Sequence, residues 1–189
     1  MALRGAADGQ TTQNLRLYGG QIPELVQRVI SALTQDNLIE VNEESMHEFK
    51  LDVQSVLRSY VRMDRRLTEE ARDLARSEGL DHREYHKIKR RLAEERRFKL
   101  NRDAPGFIAD QLIETFMQST HVEEIFASDQ ELRVVLVKQL REQMGNARDV
   151  EGEVRRRLNT IHQSSQEWEA RYAELYEKLS IKYNLHGDA

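Results

Sequence analysis

The sequence predicts an all-α protein: an elongated helical bundle of two related halves with long heptad-bearing helices. Helix-forming residues such as Leu, Glu, Arg, Gln and Ala are abundant, and the 189 residues include only 2 Pro and 9 Gly. Apolar residues recur at helical spacing in successive stretches, with only short strand-like runs between them. Hydrophobic residues make up 39% and charged residues 33% of the chain, which leaves enough apolar side chains for one core of ordinary size.

Three helix starts carry recognisable signals. The stretch "IPELVQRVISAL" repeats apolar residues along one helix face and has Pro23 in its first turn, where a missing N–H costs nothing. Ser45 and Glu48 have the spacing of a capping box, and so do Ser128 and Glu131. Each box predicts that a helix begins directly after its serine.

The second helix is predicted to be long. Near-heptad spacing of apolar residues from Met46 to Leu74 predicts a narrow buried seam, with a break near Thr68 as an alternative. Gly79 is the residue expected to end this helix, because glycine adopts the left-handed backbone conformation without a steric cost. An unbroken helix from Ser45 to Glu78 would be roughly 50 Å long.

The middle of the chain predicts three further helices. A third helix is expected from Asp81 to about Leu100, with only a thin apolar stripe. Asp103 and Pro105 predict the start of a fourth helix, and the second capping box starts a fifth. Gly145 and Gly152 bracket an expected break after the fifth helix.

The last helix is predicted from coiled-coil spacing. Apolar residues alternate in steps of three and four, with a polar interruption at Ser165. We expect this seam to support self-association; its members are Leu158, Ile161, Trp168, Tyr172, Leu175 and Leu179. Packing within the chain would use the same seam, and the sequence leaves the choice between the two open.

The two halves of the sequence match each other. A shift of 83 positions aligns residues 22–79 with the second half and superimposes the two capping boxes. We interpret this match as an internal duplication whose two units pack together. The expected organisation is a flexible tail over 1–14, an N-terminal half over 15–80, a basic connecting helix over 81–103 and a C-terminal half over 104–189.

The composition excludes several kinds of chemistry. The chain contains no cysteine, which excludes disulfides, thiolate zinc sites and cysteine nucleophiles. No apolar run approaches the length needed to span a bilayer, and the N-terminus lacks the apolar core of a secretory signal. We therefore expect a cytoplasmic protein with no membrane partner.

Positive charge is concentrated in the middle of the chain. Residues 58–102 contain fifteen Lys and Arg against nine Asp and Glu, although the net charge of the whole chain is −4. The stretch "HKIKRRLAEERRFKLNRD" is its most basic part, and the candidate partner- or anion-binding residues are Lys87, Arg90, Arg91, Arg96, Arg97 and Lys99. Three interpretations stay open: contact with nucleic acid or the ribosome, contact with an acidic protein face or a second copy, and a solvated helix.

Catalytic and cofactor motifs are missing from the sequence. The glycine pair in "YGGQIP" lacks the spacing and the lysine of a phosphate-binding loop. The stretch "HREYH" places His82 and His86 one helical turn apart, but Arg83 stands where a zinc protease needs glutamate, and no third ligand is evident. We predict neither an enzyme nor a metal, cofactor or small-molecule substrate.

Two stretches resemble a bacterial family catalogued as the domain-of-unknown-function 507 family. They are "LRLYGGQIPELVQRVISAL" and "LAEERRFKLNRDAPGFIADQLIETFMQSTHVEEIFASDQELR", and the likeness extends from about Leu15 to Leu185. The resemblance implies a helical bacterial protein and no particular activity. The arginines of "EERRFKL" fall within the part that resembles the family.

The leading hypothesis from the sequence is a non-enzymatic scaffold or adaptor that associates with a protein partner or with itself. The missing catalytic motifs and the predicted seam favour it. The alternative is a nucleic-acid- or ribosome-associated protein that uses the basic segment 83–102.

Overall fold

The chain folds as an all-α bundle, as predicted. A computed structural model describes residues 15–80, 84–145, 150–158 and 166–182. Its helices are α1 (Ile22–Gln35), α2 (Met46–Ser77), α3 (Tyr85–Glu95), α4 (Ala104–Gln118), α5 (Asp129–Gly145), α6 (Val150–Arg157) and α7 (Gln166–Lys182). Strand β1 (Ile39–Glu40) pairs antiparallel with β2 (Glu124–Ile125), so that Ile39 lies opposite Ile125. No helix in these ranges is both long and apolar enough to cross a membrane.

Four helices enclose the main core. Helix α1 packs against α2 and α5, and α4 packs against the same two helices, so each of the four has two neighbours in a closed arrangement. The side chains at the centre are fully buried; they include Leu25, Leu33, Phe49, Leu57, Ile108, Leu112, Phe116 and Leu132. Helix α3 packs on the outside of this bundle, against α2.

One of the two predicted capping boxes forms. Before α5, the backbone N–H of Ser128 donates to the Glu131 carboxylate at 2.8 Å, and the Glu131 N–H donates to the Ser128 hydroxyl at 3.3 Å. Before α2, Ser45 occupies the N-cap position but its side chain makes no capping hydrogen bond. Ser45 already has helical dihedral angles, with φ −90° and ψ −6°, whereas a capping side chain needs an extended backbone.

Helix α2 is continuous over its 32 residues, which corresponds to about 48 Å, and has no break at Thr68. Gly79 ends it with φ +64°, as predicted. The predicted narrow seam is wrong in detail, because Leu57, Asp64 and Ala71 are buried while Met63 is only half-buried. The buried surface is wide because α1, α3 and α4 all pack against α2.

The predicted last helix is in fact two helices. Leu158 follows directly after α6, and the remaining described seam residues lie on α7, which packs against α6. We call α6 and α7 together the C-terminal hairpin. Its core is a cluster separate from the main one; its buried members are Tyr18, Val154, Leu158, Trp168, Tyr172 and Leu179. The break expected between Gly145 and Gly152 falls where α5 ends at Gly145 and α6 begins at Val150, with residues 146–149 outside the described part of the chain.

The two halves have the same order of elements. Helix α1 ends at Gln35 and α4 at Gln118, and α2 begins at Met46 and α5 at Asp129, so both pairs are 83 positions apart. A 3₁₀ turn precedes α1 at Gly19–Gln21, and another precedes α4 at Asn101–Asp103. An internal duplication remains our interpretation of this correspondence.

Candidate anion-binding site

The basic segment is not one helix. Helix α3 ends at Glu95, five residues before the predicted end, because Arg97 has a left-handed backbone with φ +54°. The Arg97 N–H donates to the Glu94 carbonyl at 3.0 Å, and the Phe98 N–H donates to the Ala93 carbonyl at 2.8 Å. These two bonds form a Schellman motif, which is normally built on glycine. The chain therefore turns at Arg97, and residues 98–103 leave the direction of α3.

Three of the six predicted cations pair with nearby carboxylates. Lys87 pairs with Glu84 at 2.9 Å and Arg91 with Glu95 at 3.8 Å, both along α3. Arg96 instead reaches across to α2, where it contacts both oxygens of Glu70 at 2.7 and 2.8 Å. Exposed pairs of this kind contribute only tenths of a kcal/mol, so they hold the side chains in place without burying their charge.

The other three predicted cations, Arg90, Arg97 and Lys99, are exposed and form no ion pair with any described residue. Arg102 shares both properties, although it was left out of the predicted set. We call Arg90, Arg97, Lys99 and Arg102 the basic surface. Arg102 lies inside the basic stretch, so the sequence shows its charge. The sequence does not show the turn that brings Arg102 near Arg90.

A buried ion network lies next to the basic surface. Asp64 of α2 is buried and accepts from Lys89 of α3 at 2.6 Å, and Arg16 lies 3.3 Å from its second oxygen. Asp64 is seven residues after Leu57 and seven before Ala71, both fully buried. An acidic residue at a position where apolar residues otherwise recur every seven residues indicates a buried ion pair. The sequence contains this signal at Asp64, but the network was not predicted from it.

The segment after Arg97 is fixed to α2. The Tyr60 hydroxyl donates to the Lys99 carbonyl at 3.1 Å, and the Tyr60 ring stacks on Phe98 with centroids 4.8 Å apart. Burial raises the pKa of Tyr60 far above its ordinary value, and the neighbouring Asp64 raises it further. The hydroxyl is therefore a permanent donor, and it holds the backbone of Lys99 in one place.

A cleft of about 420 Å³ opens between these elements. We call it the basic cleft. Its walls come from the segment before α1, from α2, from α3 and from residues 98–103. Arg90, Lys99 and Arg102 of the basic surface line it, together with the buried Asp64 network. The fold thus gathers cations that are far apart in sequence.

The predicted self-association seam lies mostly inside the chain. Trp168, Tyr172 and Leu179 are buried in the C-terminal hairpin with Leu158, and Leu175 is half-buried against them. Ile161 lies outside the described residues. Self-association through the seam stays a prediction, and in this conformation it would require the hairpin to open.

Two other groupings resemble catalytic sites but lack the necessary contacts. Of the histidine pair, His82 lies outside the described residues, and His86 packs its ring 3.9 Å from that of Tyr85. Elsewhere, Asp52 Oδ2 accepts from the Ser119 hydroxyl at 2.8 Å and lies 2.9 Å from His121 Nδ1. In a Ser-His-Asp triad the serine hydroxyl is hydrogen-bonded to histidine, whereas here both Ser119 and His121 contact the Asp52 carboxylate.

No His, Asp and Glu cluster suitable for a metal ion occurs among the residues whose positions are described. A comparison with curated proteins gives no match. The family described as "Protein of unknown function (DUF507)" matches residues 15–185, which covers most of the chain, including the bundle, the basic cleft and the C-terminal hairpin. This match agrees with the likeness seen in the sequence. The chain therefore belongs to the DUF507 family.

Proposed function

We propose that this protein is a non-enzymatic adaptor that binds an acidic partner protein through the basic surface. The observation that carries the proposal is that Arg90, Arg97, Lys99 and Arg102 are exposed and pair with no carboxylate of the described chain. Charges that pair with no described carboxylate are available to a partner with complementary charge. We expect the adaptor to act in the bacterial cytoplasm.

The backbone around Arg97 supports a role in recognition. The Schellman motif and the Tyr60 hydroxyl fix the turn that carries Arg97 and Lys99. A fixed backbone lowers the entropy lost when the side chains bind a partner. Docking on such a surface depends on charge, so we expect its association rate to fall steeply as salt is added.

Nucleic acid or the ribosome is the second candidate, because the same unpaired cations could contact a phosphate backbone. The aromatic residues of the segment argue for a protein partner instead. Tyr85 and Phe98 are buried, with 1% and 8% of their surfaces exposed, so neither offers a face on which a base could stack. A nucleic-acid partner would have to be held without stacking on either of these rings.

The test is capture of partners from native lysate with a tagged protein in which Arg90, Arg97, Lys99 and Arg102 are all replaced by Glu. The control is Lys87→Glu with Arg91→Glu, because these two cations lie on α3 with Arg90 but already pair with Glu84 and Glu95. We expect a nuclease-resistant protein partner that the quadruple variant loses and the control retains. Loss of the partner on nuclease treatment would favour the second candidate. A partner that the quadruple variant retains would overturn both.

A further inference from the structure

The basic cleft has the size of a small-molecule site. Its volume is about 420 Å³, within the range in which proteins enclose ligands rather than single waters. Four separate parts of the chain form its walls, namely the segment before α1, α2, α3 and residues 98–103. A ligand there would contact residues that only the folded protein brings together.

Positive charge predominates in the cleft. Its cationic residues are Arg16, Lys89, Arg90, Lys99 and Arg102. Its acidic residues are Asp64, Glu94 and Asp103, and Asp64 already binds Lys89 and Arg16. The lining therefore has two more formal positive charges than negative ones, in a partly enclosed space where charges interact more strongly than in bulk water.

The cations around the cleft are held by a rigid frame. Lys89 is anchored by the buried Asp64, and the carbonyl of Lys99 is anchored by Tyr60. Phe98 follows the turn at Arg97 and is buried under Tyr60. Because these positions are set before binding, a ligand would not have to order the loop that holds it.

We propose that the basic cleft binds a small multivalent anion that carries phosphate groups. The two excess charges match a ligand with at least two negative charges. Cations approach from three chain segments, which suits the several oxygens of tetrahedral phosphate better than the two oxygens of a planar carboxylate, and arginine matches phosphate with paired hydrogen bonds. This site needs no partner protein and so goes beyond the adaptor role. Because Arg90, Lys99 and Arg102 serve both, the anion would compete with the partner.

The test is calorimetric titration of the full chain with pyrophosphate at constant ionic strength. We expect saturable binding with one site per chain. Lys99→Ala and Arg102→Ala should each weaken binding about tenfold, the effect of one lost charge-assisted contact. The controls Lys87→Ala and Arg91→Ala remove the same charge from positions outside the cleft and should leave the affinity unchanged. Unchanged melting temperatures without pyrophosphate would show that the variants fold.

Three results would overturn the proposal: no saturable binding, equal weakening by the control substitutions, or binding of citrate as tightly as pyrophosphate. The last would show a site for any small polyanion and not for phosphate. The titration uses purified protein alone, so its failure is distinguishable from failure of the adaptor role. If the titration fails but partner capture still depends on the basic surface, the adaptor role stands and the anion site is excluded.

Discussion

At the scale of single residues, Asp64 is a buried acidic side chain held by two cations. Its side chain is 9% exposed and contacts Lys89 and Arg16, which are 13% and 20% exposed. A buried ion pair contributes little compared with an apolar pair of the same shape, but removing one partner leaves an uncompensated charge. The network therefore makes the folded state sensitive to each of its members.

We expect Asp64→Ala to lower the free energy of unfolding by about 3 kcal/mol, because Lys89 would keep its charge in a nearly buried position. Urea denaturation of the two proteins gives the difference. Adding Lys89→Met to Asp64→Ala should restore part of the loss, since one stranded charge is removed. A loss below about 1 kcal/mol in the single variant would show that the site is wetter than its burial indicates.

Arg97 has a left-handed backbone conformation, which is unfavourable for any residue with a β-carbon. Arg97→Gly should raise the free energy of unfolding by about 1 kcal/mol, because glycine adopts φ +54° without a clash. Arg91→Gly, at an exposed position within α3, should lower it by a similar amount. If Arg97→Gly also destabilises the protein, the Arg97 side chain contributes more than its backbone costs.

At the scale of elements, the start signals predicted the helices better than the end signals. Pro23 and Pro105 lie in the first turns of α1 and α4, and both capping serines precede their helices directly. These signals act locally, so the sequence contains them in full. The end of α3 was missed because an arginine takes the position that glycine usually occupies, at φ +54°.

The division of the last helix into α6 and α7 was also missed. Leu158 and Trp168 both have the apolar character expected along one coiled-coil seam, and they do meet in one cluster. One continuous helix and a hairpin of two helices would bury the same apolar residues. The spacing of those residues therefore could not distinguish the two structures. The basic cleft could not be predicted either, because it depends on tertiary packing that brings Arg16, Lys99 and Asp64 together from distant parts of the sequence.

The capping box at Ser128 forms, whereas the one at Ser45 does not. Replacing the serine with alanine should therefore have different effects at the two positions. Ser128→Ala should lower the free energy of unfolding by about 1 kcal/mol, because the Glu131 N–H loses its acceptor. Ser45→Ala should change it by a few tenths at most, since the Ser45 side chain makes no capping bond. Thermal unfolding of both variants would test this. Equal losses would mean that Ser45 also caps its helix in solution.

The Ser128 box also predicts a pH dependence. The backbone N–H and the hydroxyl of Ser128 donate to the Glu131 carboxylate, which lowers its pKa below the ordinary 4.5. This contribution is present above pH 4.5 and is lost as the pH falls through the lowered pKa. Glu131→Ala and Glu131→Gln should therefore each cost less stability at pH 3 than at pH 7, because the wild-type carboxylate titrates and neither replacement does. A constant cost for Glu131→Ala would contradict the prediction.

At the scale of the whole molecule, the C-terminal hairpin has its own apolar cluster. Among the residues described, Tyr18 is the only buried member of that cluster from outside residues 150–182. Arg72 of α2 lies over the rings of Tyr85 and Tyr172, 5.2 and 5.6 Å from their centroids, which adds a second link to the main body. A unit with few links to the rest of a protein opens at a lower free energy than the main core.

Native-state hydrogen exchange should therefore show that amides of α7 exchange through a local opening, while those of α2 and α4 exchange only through global unfolding. Arg72→Ala should speed exchange in α7, because it removes cation–π contacts worth about 1 kcal/mol or more when partly buried. The control Arg76→Ala lies one turn away, and Arg76 pairs along α2 with Asp73. Equal protection of α7 and α2 would show that the hairpin and the bundle unfold together.

The pairing of β1 with β2 has a consequence for synthesis. Ile39 cannot pair with Ile125 until Ile125 has been synthesised. In the same way, the bundle cannot close around α1 and α2 until α4 and α5 have been synthesised. At typical elongation rates, the 86 residues from Glu40 to Ile125 take roughly 4 to 17 s to translate. During that interval the apolar faces of α1 and α2 that later contact α5 and α4 stay uncovered. A chaperone that covers these faces during synthesis would therefore improve the yield of folded chain more than one acting after release.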